Sequence, residues 1–138
     1  MAPVLDVYLF FRGNCREAME LYKSVFGGDL TTTTYAEAPG TDPRHKDSLM
    51  HARLEGGDVK IMGSDVFEKE LGKGQIELSL GGKDEARLRD IFQKLSDGGS
   101  VRQPLEKQFW GDLFGSLTDK YGVDWMINIT LPGSQTDN

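Results

Sequence analysis

The sequence predicts an α+β fold made of two tandem βαβββ modules, and three observations lead to this prediction. Two segments carry apolar residues at helical spacing, and each follows one strand and precedes three more. Glu17-Ala18 in the first half matches Glu85-Ala86 in the second, and Leu54 matches Leu117. Because these matches recur at a spacing of roughly 63 to 71 residues, we expect an internal duplication.

The first module begins with an apolar strand over residues 4–11, which we interpret as buried. A helix is predicted after Gly13, where Asn14 and Glu17 have the spacing of a capping box. The helix presents one apolar stripe: Ala18, Leu21, Tyr22, Val25 and Phe26. Strands are predicted over 30–35, 48–54 and 58–62, and the last two are joined by a tight glycine hairpin.

The second module repeats this order, with a strand over 75–80 and a helix capped by Asp84. The apolar stripe of this helix consists of Leu88, Ile91, Phe92 and Leu95. Strands are predicted over 101–105, 114–118 and 123–131. We therefore expect a single domain over residues 1–138, with repeats over 1–66 and 67–131 and a flexible tail over 132–138.

Composition and charge restrict the classes of function. The net charge of −6 does not supply the basic surface that nucleic acid or anionic lipid requires, so we expect neither partner. No apolar run approaches the roughly 20 residues of a membrane span, and the first residues lack the pattern of a signal peptide. A cytoplasmic protein is expected, and the single cysteine, Cys15, agrees with a reducing compartment.

Three stretches of the sequence resemble a known family: YLFFRGNCREAMELYKSVFGGDL (Tyr8 to Leu30), MHARLEGGDVKIMGSD (Met50 to Asp65) and FWGDLFGSLTDKYGVDWMINI (Phe109 to Ile129). They are similar to the PhnB-like branch of the vicinal oxygen chelate superfamily, which contains glyoxalase I, bleomycin-resistance proteins, fosfomycin-resistance enzymes and extradiol dioxygenases. The resemblance implies a cupped, mixed and mostly antiparallel sheet with helices on its convex face. It also implies a ligand cavity on the concave side and a homodimer.

The resemblance further implies where a metal ion would be bound, namely in the first and last strands of each module. Carried over by spacing, those positions are near Val7, Ile61 or Met62, Glu77 and Met126. A slip of one residue adds Asp6, and of all these candidates only Asp6 and Glu77 are good ligands for a hard cation. We therefore expect no metal and no other cofactor, in contrast to the metalloenzymes of the superfamily.

Polar residues in two of the predicted strands are candidates for binding or catalysis. His51 and Arg53 alternate with Ala52 and Leu54, so the polar pair faces either a ligand cavity or solvent. His51 is a candidate general base, with Glu77 as its orienting or acidic partner, or a strand histidine with only local hydrogen bonds. Similarly, Glu77 and Ser79 point into the cup if Ile76, Leu78 and Leu80 pack on the second helix; otherwise Glu77 faces solvent.

The aromatic residues near the C-terminus divide into two groups. Phe114 and Trp125 have the spacing of core residues, whereas Phe109 and Trp110 precede Gly111 in a segment without periodicity. We expect this pair to lie at the rim of the cup and in a dimer contact, with core packing as the alternative.

Two functional hypotheses follow. The first is a metal-independent protein that binds an unidentified small molecule through the predicted ligand-binding residues His51, Arg53, Glu77, Ser79, Phe109, Trp110 and Asn128. The second is an enzyme of the isomerase, lyase or hydrolase type, with or without a metal ion, in which His51 or Glu77 moves a proton in the same cavity.

Overall fold

The computed structural model describes residues 5–67 and 76–134 of the chain. The chain divides into two compact units, Met1–Gly72 (unit 1) and Lys73–Asn138 (unit 2). In the described residues, each unit contains one four-stranded mixed sheet and one α-helix, so the predicted α+β fold with two βαβββ modules is confirmed.

Unit 1 contains the strands β1 (Val7–Phe11), β2 (Asp29–Thr34), β3 (Leu49–Glu55) and β4 (Ile61–Asp65), and the helix α1 (Cys15–Phe26). The strand order in sheet 1 is β1-β4-β3-β2. β1 is parallel to β4, and the other neighbours are antiparallel. Short 3₁₀ turns at Tyr35–Glu37 and Pro43–His45 lie in the connection between β2 and β3.

Unit 2 has the same topology. Its elements are β5 (Leu78–Gly82), α2 (Glu85–Ser96), β6 (Ser100–Lys107), β7 (Leu113–Thr118) and β8 (Asp124–Ile129), and the strand order in sheet 2 is β5-β8-β7-β6. The strand predicted over 75–80 begins only at Leu78, where pairing with β8 starts, and Ile76 does not pack on the helix because it is 78% exposed. Gln75, the predicted start of this strand, lies outside the described residues.

Each helix packs on one face of the sheet in its own unit. The apolar stripe of α1 covers Ala52, Leu54 and Ile61, which are at most 2% exposed. In unit 2, α2 covers the face that carries Trp125 and Ile127, which are also fully or almost fully buried. Below, the opposite, helix-free face of each sheet is called its open face.

The two helices begin in different ways. Asp84 accepts a hydrogen bond from the backbone N–H of Arg87 (3.1 Å), so its predicted capping role is confirmed. The predicted capping box at Asn14 is wrong, because the Asn14 side chain makes no capping hydrogen bond. Instead, the buried Asp65 accepts the N–H groups of Gly13 and Cys15, both at 2.9 Å. The Asp65 carboxylate, at the end of β4, therefore accepts backbone N–H groups that have no partner within α1.

The predicted tight hairpin between β3 and β4 is a longer connection, since β3 ends at Glu55 and β4 begins at Ile61. Gly57 lies against the end of α1, where an added Cβ atom would be 2.6 Å from the carbonyl oxygen of Phe26. The N–H of Asp58 donates to the same oxygen at 3.2 Å. Glycine is required at this position by close backbone packing.

Each α-helix has 12 residues, and in residues 5–67 and 76–134 no helix is long and apolar enough to cross a membrane.

Candidate functional site

The open face of sheet 1 carries the predicted residues His51 and Arg53. Strand alternation turns them away from Ala52 and Leu54, which pack under α1. Uninterrupted alternation would place Leu49 on the same face as His51, but Leu49 is fully buried. The reason is a register shift, because Thr33 pairs with His51 and Thr34 with Leu49, which leaves Met50 as an extra residue.

An aromatic cluster lies beside His51 on this face. Tyr8 and Phe10 of β1 have their ring centroids 5.2 Å apart, and the Tyr8 ring is 5.8 Å from the His51 ring. The Tyr8 hydroxyl is hydrogen-bonded to Nδ1 of His51 at 3.2 Å. Tyr8 and Phe10 are 39% and 41% exposed, so the interpretation of β1 as a wholly buried strand is wrong. On the other face of β1, Phe11 is buried and Val7 and Leu9 are partly buried.

Charged side chains border the aromatic cluster. Arg53 pairs with Met62 across the sheet, and Met62 pairs with Tyr8, so Arg53 is in the same cross-strand row as the phenol. Its guanidinium lies 3.6 Å from Glu55 and is about half exposed. In the next row, Lys60 is 3.5 Å from Asp6. Arg53 thus remains accessible to a ligand on the open face, although a carboxylate is nearby.

The centre of the open face of sheet 2 carries uncharged side chains. Ser79 and Ser116 both pair with Met126, and Phe114 pairs with Asn128. Phe114 was expected in the core, but it lies on this face and is only half-buried, because Leu113, Gly115 and Leu117 take the positions under α2. The predicted binding residues Ser79 and Asn128 therefore share one open face.

Glu77 is held by an ion pair at one end of sheet 2. The Nη1 atom of Arg102 is 2.5 Å from Glu77 Oε1, and Nη2 donates to the carbonyl oxygens of Leu117 (2.9 Å) and Trp125 (3.4 Å). The hydrogen bond to Glu77 raises the pKa of Arg102 above its usual value. Within the described contacts, Arg102 is the partner of Glu77, and Tyr8 is the partner of His51.

The predicted aromatic pair lies in the loop between β6 and β7. Phe109 is 92% exposed, and its ring meets Trp110 edge-on with the centroids 5.0 Å apart. The ring centroid of Trp110 is also 6.2 Å from that of Phe114. At the same end of the sheet, Asn128 donates to the buried Asp112 at 2.9 Å. Trp110 and Asn128 are thereby positioned at the edge of the open face, while Phe109 extends into solvent.

Of the positions that the resemblance assigns to metal ligands, Met62 and Met126 lie on the open faces, opposite Tyr8 and Ser79. The two carboxylates among the candidates, Glu77 and Asp6, are paired with Arg102 and Lys60. A phenol, a hydroxyl and two thioethers are poor ligands for a hard divalent cation, which prefers carboxylate and imidazole groups. In the part of the chain that is described, no three His, Cys, Asp or Glu side chains are grouped so as to hold a metal ion. The donor set therefore does not fit the metal of the superfamily.

Cys15 is not available for nucleophilic chemistry. It is fully buried at the start of α1, and burial, followed by the nearby Asp65 carboxylate, raises its pKa to about 12. A thiol with this pKa is protonated at neutral pH and is a weak nucleophile.

A surface depression of about 580 Å³ lies along α2 and is lined by Asp90, Gln93, Lys94, Ser96 and Asp97. These polar residues belong to the outer surface of the helix, and none of them lies on either open face. We therefore assign the candidate site to the open faces.

Four residues of these faces were missed from the sequence: Tyr8, Phe10, Arg102 and Asp112. Period-two alternation in β1 would have placed Tyr8 and Phe10 on one face, but an unbroken apolar run does not indicate which face is covered. No sequence signal links Arg102 to Glu77, because 25 positions separate them.

A comparison with family models matches residues 4–128 to the family described as 3-demethylubiquinone-9 3-methyltransferase. Among solved structures, the chain is similar to protein PA1353 from Pseudomonas aeruginosa, with 36% identity and a TM-score of 0.85 over 94% of this chain and 99% of the other. It is also similar to the PhnB protein from Bacillus cereus, with 24% identity and a TM-score of 0.77 over 93% and 100% of the two chains.

The same fold occurs in a glyoxalase/bleomycin resistance protein/dioxygenase family enzyme from Burkholderia phytofirmans. The identity is 14% and the TM-score is 0.63, over 91% of this chain and 98% of the other. The sequence match thus extends over most of the chain, and the likeness in fold reaches the wider superfamily.

Proposed function

The chain belongs to the 3-demethylubiquinone-9 3-methyltransferase family, a PhnB-like family with the fold of the glyoxalase/bleomycin resistance/dioxygenase superfamily, and we propose that it binds a small organic molecule without a metal ion. The binding surface in this proposal is the open face of sheet 1. The cluster of Tyr8, Phe10 and His51 is the observation that carries the proposal.

The cluster is well suited to a flat ring. Tyr8 and Phe10 lie on the edge strand β1 and are each about 40% exposed, so they form an exposed aromatic patch on the open face. Stacking of a ligand ring on these side chains would remove apolar surface from water on both partners. His51 and Arg53 lie beside the rings and offer hydrogen-bond donors, so a ring that carries a carboxylate or carbonyl group is the favoured ligand class.

Three probes of similar size test this assignment: benzoate, phenol and benzylamine. We expect benzoate to bind more tightly than the other two, with a dissociation constant in the range of about 0.1 to 5 mM that is ordinary for so small a ligand. The measurement is two-dimensional NMR titration, in which the resonances of Tyr8, Phe10 and His51 should shift together.

Variants define the roles of the two groups. Arg53→Ala should weaken benzoate about tenfold and leave phenol unchanged, because only benzoate carries the charge that Arg53 attracts. Phe10→Leu should weaken both. His45→Gln is the matched control, since His45 lies in a 3₁₀ turn outside the strands of sheet 1 and its ring centroid is 3.6 Å from that of Phe67. If none of the probes shifts the open-face resonances of sheet 1, or if Arg53→Ala weakens all three equally, the assignment is wrong.

The other predicted ligand-binding residues form a second candidate surface. Ser79, Trp110 and Asn128 line the open face of sheet 2, whereas Glu77 is engaged by Arg102. We propose that this surface contributes uncharged hydrogen-bonding groups to ligand binding. Chemical shifts at Ser79 and Asn128 in the same titrations test whether it takes part.

A homodimer in the cytoplasm is part of the same proposal. Phe109 supports the dimer, because a phenylalanine that is 92% exposed at a loop tip gains stability when a partner covers it. Light scattering coupled to size exclusion should give twice the monomer mass of 15.3 kDa. Phe109→Ser should shift the equilibrium toward monomer, and an unchanged mass would remove Phe109 from the interface.

A further inference from the structure

The contact between Tyr8 and His51 supports chemistry in addition to binding. We propose that these two side chains form a proton relay that catalyses keto–enol tautomerisation of an aromatic 2-oxo acid on the open face of sheet 1. The inference rests on the proposed function, because the ring of the substrate must first be held by Tyr8 and Phe10.

The hydrogen bond itself determines what the pair offers a ligand. When the Tyr8 hydroxyl donates to Nδ1 of neutral His51, the proton of the imidazole is on Nε2. The pair then presents a donor, Nε2–H, and an acceptor, the lone pairs of Tyr8 Oη. In the other tautomer, Nδ1–H donates to Oη, so Tyr8 presents the donor and Nε2 the acceptor. In both states the pair offers one donor and one acceptor.

This arrangement allows protons to move in a balanced cycle. In the first state, Tyr8 Oη removes a proton from the carbon next to the carbonyl as its own proton passes to Nδ1. The proton on Nε2 passes to the carbonyl oxygen. The C–H and C=O π bonds break, a C=C double bond and an enol O–H form, and the relay is left in its second tautomer. The reverse reaction restores the first state, so neither an oxidant nor a reductant is needed.

The surroundings fit the proposed substrate. Arg53 is two residues from His51 on the same strand face, which separates their Cα atoms by roughly 7 Å. A carboxylate on Arg53 would therefore bring the neighbouring carbonyl group near the imidazole. Phe10, 5.2 Å from Tyr8, would stack on the aromatic ring. Phenylpyruvate combines these three groups, since it contains a carboxylate, a ketone with removable protons on the adjacent carbon, and a ring.

The test measures deuterium incorporation at the benzylic carbon of phenylpyruvate by proton NMR in D₂O, with buffer-catalysed exchange subtracted. We expect the native chain to accelerate exchange. Tyr8→Phe and His51→Gln should each reduce the catalysed rate about a hundredfold, which is within the range of general acid–base catalysis. Phe10→Leu should raise KM and leave kcat nearly unchanged, because Phe10 contacts the ring but carries no proton. His45→Gln should have no effect.

Binding is measured in the same samples from the NMR shifts of Phe10, and folding is checked by thermal melting. If phenylpyruvate binds but its exchange is not accelerated, or if acceleration survives in Tyr8→Phe or His51→Gln, the relay is wrong while the proposed function stands. If neither phenylpyruvate nor benzoate binds to this face, both proposals fail. A loss of exchange in the two variants, with retained melting temperature and binding, supports the relay.

Discussion

The two units have the same topology but present different chemistry on their open faces. β1 pairs with β4 as β5 pairs with β8, so Tyr8 opposite Met62 corresponds to Ser79 opposite Met126. Two residues further along the edge strand, Phe10 of unit 1 corresponds to a glycine in unit 2. Both sheets therefore have a thioether at the centre, and the two aromatic side chains of unit 1 correspond to Ser79 and Gly81 in unit 2.

The adjacent strands differ in the same manner. Arg53 is opposite Met62, and Ser116 is opposite Met126, so the cation of unit 1 corresponds to a hydroxyl in unit 2. Two residues before Arg53 and Ser116, His51 of unit 1 corresponds to Phe114 of unit 2. The backbone pairing is the same in both units, while the phenol, guanidinium and imidazole of unit 1 correspond to two hydroxyl groups and a phenyl ring in unit 2. This difference is the reason for placing the proposed site on sheet 1.

The units also differ in how their helices begin, and this difference should give the largest change in stability. Asp65 accepts backbone N–H groups of Gly13, Cys15 and Leu49 at 2.8 to 2.9 Å and is 1% exposed. Asp65→Ala should lower the free energy of unfolding by about 3–5 kcal/mol, because it leaves buried donors without an acceptor. Chemical denaturation is the measurement.

Asp84→Ala is the control for this prediction in unit 2. Asp84 is exposed and accepts one N–H at the start of α2, so its loss should cost only about 1 kcal/mol. Equal destabilisation by the two variants would show that Asp65 is merely another helix cap.

The contrast between these two caps also explains how much of the fold could be predicted. Asp84 is three residues from the N–H that it accepts, and a local motif of this kind is visible in the sequence. Asp65 accepts the N–H of Cys15, which is 50 positions away in the sequence, and nothing in the local pattern distinguishes Asp65 from other carboxylates at strand ends. Helical stripes and the alternation of Trp125, Ile127 and Ile129 are local signals, so the elements and core of unit 2 were largely predictable.

The candidate site was less predictable for a related reason. His51 and Arg53 were identified because a polar residue in an alternating strand is conspicuous. Their partner Tyr8 was not, because side chains on strands two positions apart in a sheet meet only once the strand order is known. The sheet order β1-β4-β3-β2 brings the phenol across β4 to the imidazole, and sequence periodicity does not specify that order.

The buried Cys15, which lies beside Asp65, predicts that the free energy of unfolding depends on pH. The pKa of Cys15 is about 12 in the folded chain and about 9 when exposed. The unfolded chain therefore loses the thiol proton first, and the stabilisation from the neutral buried thiol is full below pH 9 and is lost as the pH rises from 9 to 12. The difference in unfolding free energy between the native chain and Cys15→Ala should shrink over that range by up to a few kcal/mol.

Denaturant titrations at pH 8, 9.5 and 11 provide this comparison, since Cys15→Ala carries every other titrating group. The native thiol should also resist iodoacetamide at pH 8. A constant difference between the two proteins across the pH series, or rapid alkylation of the folded chain, would contradict the buried, protonated state of Cys15.

The smallest expected effect concerns the ion pairs at equivalent ends of the two sheets. Glu77 is 2.5 Å from Arg102, whose guanidinium also donates to two backbone carbonyls, while Asp6 lies 3.5 Å from Lys60. The side chains of both pairs are about 30–45% exposed, so solvent screening limits each coupling. Double-mutant cycles with Arg102→Ala and Glu77→Gln should give about 0.5–1 kcal/mol, and the Asp6–Lys60 cycle less than about 0.3 kcal/mol.

Comparing the single variants with the cycles separates the energy of the Glu77–Arg102 ion pair from that of the hydrogen bonds between Arg102 and the backbone carbonyls. Arg102→Ala should destabilise the chain more than Glu77→Gln does, because only the arginine substitution removes the hydrogen bonds to Leu117 and Trp125. Equal single-variant effects would mean that those carbonyl contacts add nothing. A coupling as large for Asp6 and Lys60 as for Glu77 and Arg102 would show that charge alone is responsible, since the cation of the Asp6 pair is an ammonium group and not a planar guanidinium.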